Sequence, residues 1–174
     1  ESKIIANLDL LNTNHIFSVG DGTADHDLAI ESGDVRGGAL AGITKVGNGK
    51  LYLNQLTSTY GGTNQIVAGI VEAYLGTTML GTGRTVVNDG ASIQLLGGSG
   101  LSSFFELHGD GVGGTNGALR GLGSIAQAHG PFLIPTAATI RADSQMHLDG
   151  NIGGTGSLRV TGTNELWTQG SANT

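Results

Sequence analysis

Residues 42–73, GITKVGNGKLYLNQLTSTYGGTNQIVAGIVEA, carry the pattern by which the whole chain is read. The apolar residues Ile43, Val46, Leu51, Leu53, Leu56, Ile66 and Val71 come in twos and threes, and Gly47, Asn48, Gly49, Gly61, Gly62 and Gly69 fall between them. No window sustains a helical period, so the segment reads as short β-strands turned every few residues by glycine. Weaker versions on both sides imply one unit stacked along an axis.

Composition supports the same picture. The 174 residues include 32 glycines and 2 prolines, which describes a chain that turns constantly through the one residue that reaches positive φ without steric penalty. The glycines have no three-residue period, which excludes collagen, and Ile, Leu and Val recur throughout, which argues against disorder. A formal charge of −6 with eight basic residues leaves no basic stripe for phosphates, so nucleic acid and anionic membrane surfaces are poor partners. Lys45, Lys50, Arg36, Arg84, Arg120, Arg141 and Arg159 are expected on solvated corners.

The chain contains no cysteine, which rules out a disulfide framework and any thiolate metal site. Such usage suits the cytosol and equally a bacterial surface protein that crosses an envelope unfolded. Glu1-Ser2-Lys3 leads directly into a strand-like KIIANL rather than a signal peptide. No apolar run approaches the ~20 residues of a membrane-spanning helix. An exported form is therefore expected to be a piece of something longer.

Outward from the opening stretch, strands are expected at Lys3–Leu8, His15–Val19 and Leu28–Ile30, then at Arg84–Val87 and Ala91–Leu96 around the turn Asn88-Asp89-Gly90. Phe132–Ile134 is bracketed by Pro131 and Pro135, which suits an edge or corner strand. Ala138–Arg141, Gln145–Leu148 and Ser157–Val160 follow at strand length. Between His108 and Gly123, Val112, Ala118, Leu119 and Leu122 are spaced as though each tight turn delivered one side chain inward. Leu75, Met79 and Leu80 offer further apolar surface.

An internal repeat links distant segments. Residues 43–51 line up without gaps on residues 158–166, and Gly33-Asp34-Val35 matches Gly150-Asn151-Ile152 once two residues are gapped. The best copy spans 33–73 and a degraded second copy spans 150–168. One such unit cannot bury its own apolar face, so repetition implies stacking. Strands this short, with Gly-Gly and Gly-x-Gly turns, fit a sandwich poorly. The expected fold is all-β, a right-handed parallel β-helix forming a single segment over 1–174. Coils of roughly 20–25 residues at about 4.8 Å give about seven coils and a rod on the order of 35 Å. The expected inward ladder is Ile43, Leu51, Leu53, Ile66, Val71, Val86, Ile93, Leu95, Phe105, Leu119, Ile140, Leu148, Ile152, Leu158 and Leu166. Neither terminus carries a clear cap, so the segment is expected to continue in a longer chain or to stack end to end on other copies of itself.

Residues 42–73 also resemble the passenger-associated transport repeat of autotransporter-type proteins, whose pattern is approximately L-T-K-x-G-x-G-T-L-x-L-x-G-x-N-x-Y-x-G-x-T-x-V-x-x-G-x-L. The residues that carry the resemblance are Ile43, Thr44, Lys45, Gly47, Gly49, Leu51, Leu53, Tyr60, Gly62, Thr63, Ile66, Gly69 and Val71. Lys50 departs from it where a small Thr is common, as does Gln55 where Gly is usual. The resemblance implies a glycine-rich β-helical stalk presented at the bacterial cell surface or outside the cell, with a role in passenger folding and secretion and with no catalytic residues.

Candidate chemistry is sparse. Asp21, Asp25 and Asp27, with His26, form the only cluster that suits a hard cation such as Ca²⁺, but the loop lacks the glycine and distal Glu of an EF-hand. The plain expectation is a solvated acidic loop without cofactor. Asp143 with Arg141, and Asp110 with His108, are the pairs an enzymatic β-helix acting on acidic polysaccharides would use, yet no acid and base are spaced for it. His15, His129 and His147 are isolated, and the glycines at 109–114 lack the helix and lysine of a phosphate loop. Trp167 and Tyr60 are expected to cover the core. The leading expectation is a non-enzymatic structural stalk or fibre; the alternatives are a carbohydrate-active β-helix and an adhesin.

Overall fold

The structure, a computed structural model, describes residues 1–31, 33–54, 57–74, 76–98 and 100–170. Gln55, Leu56 and Leu75, singled out above, lie outside the described residues. Among these, the chain is all-β, with one short 3₁₀ turn at Val112–Gly114 and no α-helix.

Among the described residues every strand pairing is parallel, and the strands form four sheets. The largest has eight strands in chain order: Ser2–Ile4, Leu28–Glu31, Lys50–Asn54, Gly69–Tyr74, Ala91–Leu96, Leu119–Leu122, Ala138–Ala142 and Leu158–Gly162. The second has seven: Asn14–Ser18, Gly42–Val46, Asn64–Ile66, Arg84–Val87, Phe104–Leu107, Phe132–Leu133 and Ile152–Gly153. A four-stranded sheet, Gly100–Leu101, Ala126–Ala128, Met146–Leu148 and Leu166–Thr168, and a three-stranded one, Leu8–Asp9, Asp34–Arg36 and Thr57–Ser58, complete the set. The chain visits the sheets in turn, so apart from the first strand of each sheet, Gly100–Leu101 included, every described strand pairs with the strand laid down before it in the same sheet.

Register follows from side-chain alternation. In the eight-stranded sheet one inward row runs Leu28, Leu51, Val71, Ile93, Leu119, Ile140, Val160, and a second runs Ile4, Ile30, Leu53, Ala73, Leu95, Gly121, Ala142, Gly162. A one-residue slip of any strand would turn both rows outward, so burial fixes the pairing. In the seven-stranded sheet the inward row His15, Ile43, then Asn64, Thr85, Phe105, Phe132, Ile152 mixes aliphatic, polar and aromatic members. Asn64 is tolerated there because all its polar atoms are used: its Oδ1 accepts from the Ile43 amide at 3.1 Å, and its Nδ2 donates to the Leu80 carbonyl at 2.6 Å and to Thr85 Oγ1 at 3.2 Å.

Most of the expected core is buried, with four corrections. Val86 faces outward and Val87 takes the inward place, because Thr85 and Val87 share one face of the strand and adjacent valines look alike in sequence. Ile152 and Leu166 are half-buried and Leu158 is 37% exposed, since each lies on the last strand of its sheet and has a neighbour on one side only. In the glycine-rich window Ala118 and Leu119 are buried, whereas Val112 and Leu122 are half-buried. Phe132–Leu133 is flanked by strands on both sides rather than lying at an edge; its prolines sit just outside the pairing, where the missing N–H costs nothing.

The two copies of the internal repeat lie one sheet out of phase. Gly42–Val46 belongs to the seven-stranded sheet and its sequence match, Leu158–Gly162, to the eight-stranded one. The same offset separates Asp34–Arg36 from Ile152–Gly153, and Lys50–Asn54 from Leu166–Thr168. The partner that stacks on Leu158–Gly162 is Ala138–Ala142. Strand, tight turn, strand is thus a unit that serves at any corner.

Candidate functional site

Several of the repeat residues, Lys45, Gly47, Gly49 and Gly69 among them, meet at one corner, between Gly42–Val46 and Lys50–Asn54. Lys45 sits in an inward row, Phe17, Lys45, Ile66, Val87, Leu107, and is fully buried, which corrects the expectation of a solvated corner. Its ammonium curls to the turn and donates to the carbonyls of Gly47 at 2.6 Å, Ala68 at 2.8 Å and Val46 at 3.4 Å. One side chain therefore ties two successive turns together. Burial lowers its pKa to about 8, against a smaller upward pull from the Asp27 charge.

The glycines around it leave room for this tie. Gly69 has φ +70°, and a Cβ there would lie 2.5 Å from the Gly47 carbonyl oxygen, 2.6 Å from that of Gly49 and 2.7 Å from Lys45 Nζ. A Cβ on Gly49 would meet the Gly20 carbonyl oxygen at 2.2 Å. Leu51, Leu53, Ile66 and Val71 fill the inward rows, and Tyr60 is fully buried, its hydroxyl pKa raised by desolvation. Gly62 and Thr63 lie on the adjoining turn, where the Gly62 amide donates to the Ala41 carbonyl at 2.8 Å.

The acidic loop is bound to the same corner. Asp27 accepts from the Gly22 amide and from the Lys50 amide, each at 2.8 Å; the Lys50 bond is the main reason its pKa is lowered. His26 Nε2 lies 2.7 Å from Glu72 Oε2, and the imidazole stacks on Tyr52 with centroids 4.1 Å apart. Lys50 Nζ bridges Glu72 at 3.5 Å and Asp25 at 3.6 Å. The loop is thus a latch onto the outer face of the eight-stranded sheet. Among the described residues no group of three or more His, Cys, Asp or Glu is placed to hold a metal ion.

Two more clusters lie on outer faces. Asp143 accepts from Arg141 Nε at 2.8 Å and from Arg120 Nε at 2.8 Å. Burial pushes Asp143 up, but these bonds and charges hold it below the ordinary carboxylate range. Arg141 and Asp143 therefore do form a pair, as a salt bridge with an ionised carboxylate. His108 and Asp110 line an open groove of 610 Å³ with Asn88, Asp89 and Thr136. There His108 Nε2 lies 2.8 Å from Glu106 Oε1 and its Nδ1 3.0 Å from Thr136 Oγ1, while Asp110 accepts from the Thr139 hydroxyl. Trp167 is 47% exposed and stacks on His147 at 5.6 Å, so it does not cover the core.

No protein-family model matches the chain, and no curated protein or solved structure is detectably similar to it.

Proposed function

We propose that this chain is a segment of a right-handed parallel β-helix, of about seven coils, that serves as a non-catalytic stalk or fibre at a bacterial surface, as the resemblance to autotransporter passengers implies. The observation that carries the reading is the unbroken inward row from Ile4 to Gly162, in which every member stacks on the strand before it. Supporting it, the residues of the repeat are used for turning, packing and tying: Lys45 is bonded to carbonyls and Tyr60 is sealed inside.

Stacking has a corollary at the ends. Ile16 at 71% and Val160 at 51% exposure are apolar residues on terminal strands whose own N–H and C=O groups face outward along the stack. Such ends suit pairing with further circuits of a longer chain or with a second copy end to end, and sedimentation across a rising concentration series tests the second. Wild-type protein should form longer species that Val160→Lys shortens; a single monomeric species up to the highest concentration would sink the fibre reading. Protease accessibility on intact cells tests the surface location.

A second reading, a carbohydrate-active β-helix, draws on the 610 Å³ groove at His108 and Asp110. It requires depolymerisation of an acidic polysaccharide that is lost in Asp110→Asn.

A further inference from the structure

Arginines on a chain of net charge −6 are concentrated where they repel one another. Arg120 and Arg141 are direct partners on adjacent strands, and Arg159 lies opposite Thr139, two residues before Arg141. Like charges on adjoining strands destabilise a sheet unless something neutralises them. Asp143 meets Arg120 and Arg141 together, and Asp110 approaches only through the Thr139 hydroxyl. Three guanidiniums thus face two carboxylates. The Arg159 guanidinium makes no hydrogen bond or ion pair among the described residues.

Of these side chains Thr139, Arg141 and Arg159 border a half-open pocket. The loop over residues 109–117 folds back across the sheet, pinned where Ser92 Oγ donates to the Gly117 carbonyl at 2.8 Å and accepts from the Val112 amide at 2.9 Å. Arg141 Nη1 donates to the Thr115 carbonyl at 2.9 Å, which fixes its guanidinium against the loop. The result is a pocket of 230 Å³ bordered by Gly114, Thr115, Thr139, Arg141, Arg159 and Thr161. Its chemistry is guanidinium and hydroxyl, the donor set that recognises oxyanions.

We propose that this pocket binds an oxyanion, a carboxylate, sulfate or phosphate, with Arg159 and Arg141 as the charged donors and Thr161 as a hydroxyl donor. The group is either free in solution or carried on an acidic glycan whose remaining sugars run along the outer face of the sheet. The site is independent of the stalk reading, since association at the ends and binding on this face are measured separately.

Calorimetric titration at low ionic strength tests it, with sodium sulfate, sodium phosphate, galacturonate and polygalacturonate as probes. Saturable binding is expected from at least one probe, weakened about tenfold or more in Arg159→Ala, as loss of a charge-assisted bond implies. Thr161→Val should weaken it less, and Arg36→Ala, whose guanidinium is paired with Asp34, should leave it unchanged. Sulfate or phosphate binding with no gain for polygalacturonate assigns the free ion; polygalacturonate binding tighter than galacturonate assigns the glycan. Absence of saturable binding by all four probes, or equal affinity in Arg159→Ala of unaltered melting temperature, overturns the proposal.

Discussion

The corner at Lys45 and the last circuit of the chain are built from the same rows and end in opposite states. Around Lys45 the rows hold Ile43, Leu53 and Ile66, all buried, and even an ammonium is taken inside. At the far end the rows shrink to Ala142 and Gly162, and Val160 is half-exposed although its partner Ile140 is fully buried. Strand sequences of similar character differ in burial because one has neighbours on both sides and the other on one. Burial here belongs to the stack and not to the strand, as expected where each unit is stabilised by its neighbours.

Substitutions can break that comparison. Phe105→Ala, in mid-row with its ring 5.5 Å from that of Phe132, should cost about 3–5 kcal/mol of unfolding free energy by urea titration. A much smaller loss would mean that the interior rows are loosely packed. The second effect is a pH dependence localised to the corner. Burial depresses the pKa of Lys45 from 10.5 to about 8, so above pH 8 the unfolded chain holds the extra proton and stability rises with pH. Roughly 2–3 kcal/mol should be gained between pH 8 and about 10. Beyond that the trend reverses, because Tyr52 and Tyr60 have raised pKa values and keep protons that the unfolded chain gives up. Lys45→Met should remove the rise altogether; a rise that persists would place its origin elsewhere.

At neutral pH the same Lys45→Met change should cost about 2 kcal/mol, because the carbonyls of Gly47 and Ala68 lose a donor while the desolvation penalty of the amine disappears. The smallest effect belongs to the terminal circuit. Val160→Ala should change stability by less than about 1 kcal/mol, and a loss matching that of Phe105→Ala would refute the contrast.

Much of this architecture was legible in the residues and some was not. Glycine turns, three- to six-residue strands and the aliphatics Leu51, Val71, Ile93 and Leu119 pointed to parallel stacking, since each is a local signal with a local cause. Lys45 reads as solvated in sequence because a lysine at a turn normally is, and its burial depends on carbonyls that a later segment, at Ala68, brings into reach. The choice of Val87 over Val86 rests on strand phase, which two adjacent valines do not encode. The phase of the repeat was hidden because a corner has the same sequence requirements whichever two sheets it joins. The clustering of Arg120, Arg141 and Arg159 was visible only as dispersed charge until the register set them side by side. Spacing of about one circuit between basic residues was the signal that could have found it.

The rotation of the chain through the sheets has a kinetic consequence. Ile30, Leu53, Ala73 and Leu95 each meet the residue laid down one circuit before, never one from a distant part of the chain. The entropy lost on closing each loop is therefore nearly constant, and it does not grow as the structure lengthens. Once the first circuits have nucleated, every new strand finds a finished template waiting. Folding can then advance from one end, strand upon strand.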